Sequence, residues 1–220
     1  MFHTEIKITG DGSATLYVPD LDEHYHSTFG AVQESMHIFI AHGLWCVNIP
    51  EIRILEIGFG TGLNALLSLI HHKKEISVTY HSIERNPLLW EDINKLKYPS
   101  FLKLDDTMTS LFRKMHSEPW NIDIQLGHNF TIHKINTDLL EYSPEKGYDL
   151  VYFDAFAPDV QPEMWHQSVF DRLAMALNPG GILVTYCAKG EVRRKLQHAG
   201  FRVVKLPGPP GKREILQAIR

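Results

Sequence analysis

Arg53-Ile54-Leu55-Glu56-Ile57-Gly58-Phe59-Gly60-Thr61-Gly62-Leu63-Asn64, continuing through Ala65-Leu66-Leu67-Ser68-Leu69-Ile70, changes its periodicity twice within a few residues. The apolar run through Ile54 and Ile57 predicts a buried strand, the glycines a sharp turn, and the apolar positions after Leu63 a helix. Gly58, Gly60 and Gly62 have no Cβ, so the backbone there takes positive φ and approaches a ligand closely. The N–H groups that open the helix supply donors and a partial positive charge. A ligand with a nucleotide moiety is expected over this loop.

The glycine spacing narrows the choice. A dinucleotide fingerprint places its third glycine three positions after the second, where this chain has Leu63; the pattern is GxGxG. Glu56 closes the strand where it would repel a pyrophosphate and attract the ammonium of an amino-acid-bearing cofactor. S-adenosylmethionine carries that ammonium and no phosphate. Roughly twenty residues past the loop, Tyr80-His81-Ser82-Ile83-Glu84 ends a second strand, where an acid binds ribose hydroxyls. Phe59 and Asn64 complete the cofactor-binding set read from the loop and the helix start.

Outward from this centre, Pro87 suits the first position of a helix reaching about Leu96. Phe101 to Met115 has a helical period, and Trp120 to Ile135 alternates on either side of Gly127-His128-Asn129, as a hairpin does. Asp138 follows the second of those strands, placed either to accept from an adenine amino group or to cap the next turn. Tyr148-Asp149-Leu150-Val151-Tyr152-Phe153-Asp154-Ala155-Phe156-Ala157-Pro158 reads as a central parallel strand, nearly all apolar, ending on Asp154 at the crevice. Asn178-Pro179-Gly180-Gly181 stops a helix over 165–177 and launches a strand at Ile182. Another helix, over 191–199, and strands over 201–206 and 215–219 close the chain. Ahead of the core, strands over Glu5–Ile8 and Ala14–Val18 form a hairpin around Gly10-Asp11-Gly12, read as an appendage. A polar, aromatic loop then feeds a helix over Ala31–Ala41. His24 and His26 lie two apart in that loop with no carboxylate set nearby, and are read as loop or surface residues; no metal site is expected.

Composition sets outer bounds. The 220 residues are 44% hydrophobic and 22% charged, with two cysteines, Cys46 and Cys187, that lack metal-site or disulfide-framework spacing. A soluble protein of the reducing cytoplasm is expected, with no leader and no membrane span. The net charge of −4 conceals an uneven distribution: from Tyr186 onward nine basic residues face two acidic ones. A basic face of this kind steers a polyanion.

Strand and helix alternate from Ile52 onward in the order of class I methyltransferases. Glu56 through Asn64, Ile83-Glu84-Arg85-Asn86-Pro87-Leu88, Asp154-Ala155-Phe156-Ala157-Pro158 with Pro162-Glu163-Met164-Trp165, Pro179-Gly180-Gly181, Val192-Arg193-Arg194-Lys195-Leu196, Ala199-Gly200-Phe201 and Gly211-Lys212-Arg213-Glu214 together resemble the MnmC methyltransferase-domain family, whose stand-alone form is MnmD. The family loop often has glycine where Ala155 stands, a mild departure. The resemblance implies an α/β fold with a Rossmann-like, mostly parallel seven-stranded sheet and a small N-terminal hairpin. It implies one domain over 1–220, with residues 1–50 leading into a core over 51–220. The implied reaction is methyl transfer from S-adenosylmethionine to the 5-aminomethyl group of a wobble uridine in tRNA, with or without 2-thiolation. MnmC also carries an oxidase half for which this chain has no room, so a separate oxidoreductase upstream is an expected partner.

On this reading Asp154 receives the amine, orients its lone pair and helps remove a proton. Tyr25 and Phe156 flank the extruded uracil, and Lys189, Arg193, Lys212 and Arg213 hold phosphates. Three rivals remain: an S-adenosylmethionine-dependent N-methyltransferase for a small-molecule amine, which has no need of the basic C-terminal cluster; a nicotinamide oxidoreductase, which Glu56 and the glycine spacing oppose; and a non-catalytic nucleic-acid adaptor, which intact Glu56, Glu84 and Asp154 oppose.

Overall fold

The computed structural model describes residues 3–220; Met1 and Phe2, part of the terminus read for a leader, lie outside the described residues. The chain opens with a small antiparallel sheet, β1 (Glu5–Ile8), β2 (Ala14–Val18) and β3 (Glu23–His24). Asp11, in the β1–β2 turn, accepts hydrogen bonds from Thr9 Oγ1, Ser13 N and, from beyond the sheet, Gln33 N. The hairpin is thus tied to α1 (Ala31–Ser35), which widens into a π-helical stretch over Met36–Ala41. The reading of the hairpin as an appendage is corrected: β2 buries Leu16 in the same apolar cluster as α1 and the core.

The core follows as β4 (Glu51–Ile57), α2 (Leu63–His71), β5 (Ser77–Glu84), α3 (Trp90–Lys95), α4 (Tyr98–Phe101), α5 (Asp106–Ser117), β6 (Asp123–Gln125), β7 (Phe130–Asn136), β8 (Tyr148–Phe153), α6 (Gln167–Ala176), β9 (Leu177–Thr185), α7 (Gly190–His198), β10 (Arg202–Pro207) and β11 (Glu214–Ile219). These strands form one sheet in the order β10-β11-β9-β8-β4-β5-β7-β6, with β9, β8, β4, β5 and β7 parallel and the other three antiparallel to their neighbours. The sheet has eight strands where seven were expected. The eighth, β6, is the first arm of the Gly127 hairpin, long enough only to extend the edge by three residues.

Local chemistry moves several element boundaries. The helix expected from Pro87 begins at Trp90, because Glu84 Oε1 accepts from Asn86 N at 2.8 Å and holds the chain in a bend. The period over 101–115 splits in two: Lys103 takes a φ of 52°, and Asp105 caps α5 by accepting from Met108 N at 2.8 Å. Asn178–Gly181 lies inside β9 as a bulge against β8, so the strand starts at Leu177 directly after α6.

β4 and β8 are buried at most positions on both faces, so both sides of the sheet are covered. Ile52 and Ile54 of β4 join α1, α2 and α5 in one apolar cluster; Leu55 and Ile57 join α6 and α7 in another. Trp165 is fully buried in the second, and its Nε1 donates to the Phe156 carbonyl at 2.8 Å, which fixes the loop after β8. Both cysteines are free. Among the described residues no helix is long and apolar enough to cross a membrane, and no three His, Cys, Asp or Glu side chains gather in a group that would hold a metal ion.

Candidate active site

Pairing in register sets the site. Ile57 of β4 lies opposite Ile83 of β5 and Phe153 of β8, so Asp154, Gly58 and Glu84 stand side by side at the carboxyl ends of three adjacent parallel strands; Asn136 of β7 continues the row towards Asp138. Chain direction reverses its spread across the sheet between β4 and β8, the position where open α/β sheets bind ligands. A cavity of about 740 Å³ lies over this row.

The glycine loop forms its floor. Gly58, Gly60 and Gly62 take φ values of 90°, 49° and 71°. A Cβ on Gly58 would stand 2.9 Å from the Asp154 carbonyl oxygen, and one on Gly60 would stand 3.1 Å from the Tyr25 ring. Gly60 N donates to Glu84 Oε2 at 3.0 Å, so the acid of β5 organises the loop and still has lone pairs facing the cavity. Phe59 lines the cavity and packs on Trp120 behind it. Gly62 does not line the cavity; it starts α2, against His116 and Phe59. Asp138 does line it, paired with Arg85 at 3.0 Å, while its Oδ1 accepts from Leu140 N at 2.8 Å. The capping role expected of it is observed, and its place on the wall leaves it within the cavity where an adenine would lie.

Two carboxyl groups are displaced in their acidity by burial. Asp154 lines the cavity and accepts from Asn64 Nδ2 at 2.8 Å; burial, helped by the nearby charge of Glu34, pushes its pKa up to about 7. Glu56 is fully buried, accepts from Ser82 Oγ at 2.6 Å and is pushed up to about 8, chiefly by burial. It is not part of the cavity wall. The expectation that Glu56 meets a ligand ammonium directly is corrected: its side chain turns under the loop towards Ser82, and its influence on the site passes through Asn64 and Asp154.

The other wall comes from the N-terminal segment, which sequence reasoning largely missed. Tyr25 and Phe156 meet edge to face, with ring centroids 5.1 Å apart at 70°, and so form one aromatic wall rather than two sides of a slot. His26 turns inward, its Nε2 2.7 Å from Thr61 Oγ1, and burial lowers its pKa to about 4. His24 lines the cavity as well and packs on Tyr17. Glu34 of α1 and Phe29 at the rim line the cavity as well. No periodic pattern marks either residue; the only signal was the loop's mixture of aromatic and acidic residues.

The basic residues divide. Lys212 enters the cavity, 3.3 Å from Glu34 Oε1, so its expected role as a phosphate contact is corrected by its place inside the acidic chamber. Lys189, Arg193 and Arg213 lie outside the cavity lining. Lys189 is exposed and paired with Asp159, and Arg213 is exposed. Within the wall, Glu23, Glu34, Glu84, Asp138, Asp154 and Glu163 face only Arg85 and Lys212, each already paired with an acid. Such a chamber favours a cation and disfavours a pyrophosphate.

Residues 104–220 match the profile of a family described as S-adenosyl-L-methionine-dependent methyltransferase. The chain belongs to that family. The methyltransferase is also 31% identical over 222 residues to the "tRNA 5-methylaminomethyl-2-thiouridine biosynthesis bifunctional protein MnmC" of Ectopseudomonas mendocina, covering 90% of this chain and 34% of that one. The protein of the same name from Pseudoalteromonas atlantica is 29% identical over 241 residues, covering 98% and 33%. The chain therefore spans about a third of the length of these curated relatives. The crystal structure of MNMC2 from Aquifex aeolicus superposes with a TM-score of 0.78 at 26% identity, covering 99% of this chain and 70% of that one.

The methyltransferase's own residues fit S-adenosylmethionine. The cradle between Gly58, Gly60 and the Tyr25 ring is one a Cβ would fill, the cavity has the size of a nucleoside site, and its acidic wall suits the cofactor's positive charge. Gly58, Phe59 and Gly60 would hold it against the loop, Glu84 would take the ribose hydroxyls and Asp138 the adenine.

Proposed function

We propose that this methyltransferase acts on the primary amine of a 5-aminomethyl group on the wobble uridine of tRNA, giving 5-methylaminomethyluridine or its 2-thio form. The observation that carries the reading is the position of Asp154: a buried carboxyl group at the tip of β8, held by Asn64, lining the chamber directly beside the glycine loop. The names of the curated relatives support the substrate.

Bound S-adenosylmethionine supplies an electrophilic methyl group on a sulfonium. An alkyl amine reaches the site as an ammonium and is a nucleophile only after losing a proton. Asp154 takes that proton through the oxygen not held by Asn64, and its raised pKa matches it to the task near neutral pH. The Asn64 hydrogen bond keeps the carboxylate aimed, so much of the catalytic effect is orientation. Tyr25 and Phe156 give the uracil one aromatic wall to rest on. Lys189 just before α7, Arg193 on α7 and Arg213 in the loop before β11 hold phosphates outside the chamber. A cytoplasmic location follows from a tRNA substrate, and a separate upstream oxidoreductase supplies the primary amine where the tRNA first carries a longer substituent.

The test is mass spectrometry of wobble nucleosides after incubating the protein and S-adenosylmethionine with tRNA bearing 5-aminomethyluridine. A gain of one methyl group at that nucleoside is the expected result. Methylation of free alkyl amines with tRNA left unmodified would replace this reading by the small-molecule one.

A further inference from the structure

Lys212 shows what the Glu34 side of the chamber is built to hold. Its ammonium stands 3.3 Å from Glu34 Oε1 and 4.9 Å from the centroid of the Tyr186 ring. The ring is locked beside the end of β8 by the hydrogen bond from its hydroxyl to the Ala155 carbonyl, at 2.9 Å. A carboxylate on one side and an aromatic face on the other is a receptor for an alkylammonium ion. Lys212 and a substrate's aminomethyl group end in the same cation.

Glu34 is fixed for this purpose. Its Oε2 accepts from Ser27 N at 2.8 Å, leaving Oε1 buried and without a hydrogen bond among the described residues. The ion pair with Lys212 lacks hydrogen-bond geometry, and the Lys212 side chain is 29% exposed, so the lysine has a way out. Its loop is held independently, by Gly208 N to the Arg213 carbonyl at 3.1 Å and Lys212 N to the Pro209 carbonyl at 2.9 Å.

We propose that Glu34 is the second carboxylate of the amine subsite, binding the substrate's ammonium together with Asp154, and that Lys212 is a built-in cation that occupies the Glu34 side until the substrate amine displaces it. This rests on the reading of the substrate as a primary amine. Glu34 from α1, Asn64 from α2 and Lys212 from the loop before β11 act on Asp154, and the other groups around it are Glu56 and Tyr80 beneath and Tyr186 beside it, all three of which feel its charge. Glu34 makes Asp154 a stronger base and Lys212 makes it a weaker one, so removing each moves the acid limb of activity in opposite directions.

The experiment uses the whole chain, saturating S-adenosylmethionine and an anticodon stem-loop RNA carrying 5-aminomethyluridine. Glu34→Gln should raise KM for the RNA about tenfold, the loss of one charge-assisted contact. It should also move the acid limb of kcat/KM to lower pH and leave S-adenosylmethionine affinity, read by calorimetry, within about twofold. Glu34→Asp should recover part of the KM. Lys212→Met should move the acid limb to higher pH without raising KM. An unmoved KM and acid limb in Glu34→Gln, a shift of both variants in one direction, or a raised KM in Lys212→Met would overturn the proposal while wild-type turnover left the substrate assignment standing. A wild-type protein that binds S-adenosylmethionine and ignores the RNA would overturn the assignment and this inference with it.

Discussion

Asn64 Nδ2 donates to Asp154 Oδ2 across 2.8 Å, tying the first turn of α2 to the end of β8. The bond stabilises the ionised carboxylate, so its loss should raise the Asp154 pKa further above the neutral region. Asn64→Ala should therefore lose about tenfold in kcat/KM at pH 7 and recover part of it by pH 8.5, as a pH–rate profile would register. Asp154→Asn should lose turnover at every pH while calorimetry finds S-adenosylmethionine affinity within a few-fold. An equal loss for Asn64→Ala at both pH values would remove Asn64 from control of that proton.

Glu56 gives a stability signature. Its folded pKa is about 8 against an ordinary 4.5, so across that window the folded chain keeps a proton that the unfolded chain has released. Stability is then full below about pH 4.5 and declines as pH rises through 8. Glu56→Gln should abolish that decline. Thermal melts should find the two proteins similar at pH 4.5 and the variant ahead at pH 9, by on the order of a few kcal/mol. Because Glu56 is no part of the cavity wall, cofactor affinity should change little.

Gly58→Ala forces a Cβ to within 2.9 Å of the Asp154 carbonyl at a φ of 90°. The expected outcome is destabilisation of about 1–3 kcal/mol together with a loss of S-adenosylmethionine binding of tenfold or more. Gly127→Ala is the control: at a φ of 81° with nothing within 4 Å, it should suffer backbone strain alone and bind the cofactor normally.

The basic residues outside the chamber predict a salt effect. Arg213→Ala should weaken tRNA binding at low salt and reduce the slope of log K against log salt by about one unit, with kcat at saturating RNA preserved. An unchanged slope would place the phosphate contacts elsewhere on the surface.

What could be read without coordinates was whatever depends on neighbours in sequence. The strand–glycine–helix turn at Gly58, the acids ending β5 and β8, and the Gly127 hairpin all announce themselves through local spacing. Glu56 misled because strand position places a side chain at the right height without saying which face it takes; the bond to Ser82, 26 residues away, decides that. Glu34 escaped notice for the same reason: an acid on a short helix looks solvated until Ser27 and Lys212 are seen around it. Charge alone marks Lys212 as one of a basic run, and a charge run cannot show which member turns inward.

The chamber has two halves of different origin. Its floor comes from strand tips of the alternating core, whereas Tyr25, Phe29 and Glu34, which face that floor, come from the first fifty residues. The leading segment therefore reaches both sides of the chamber, with Tyr25 against the glycine loop and Glu34 against Lys212, so exchanging it between related proteins should change methyl-donor affinity and amine selection together.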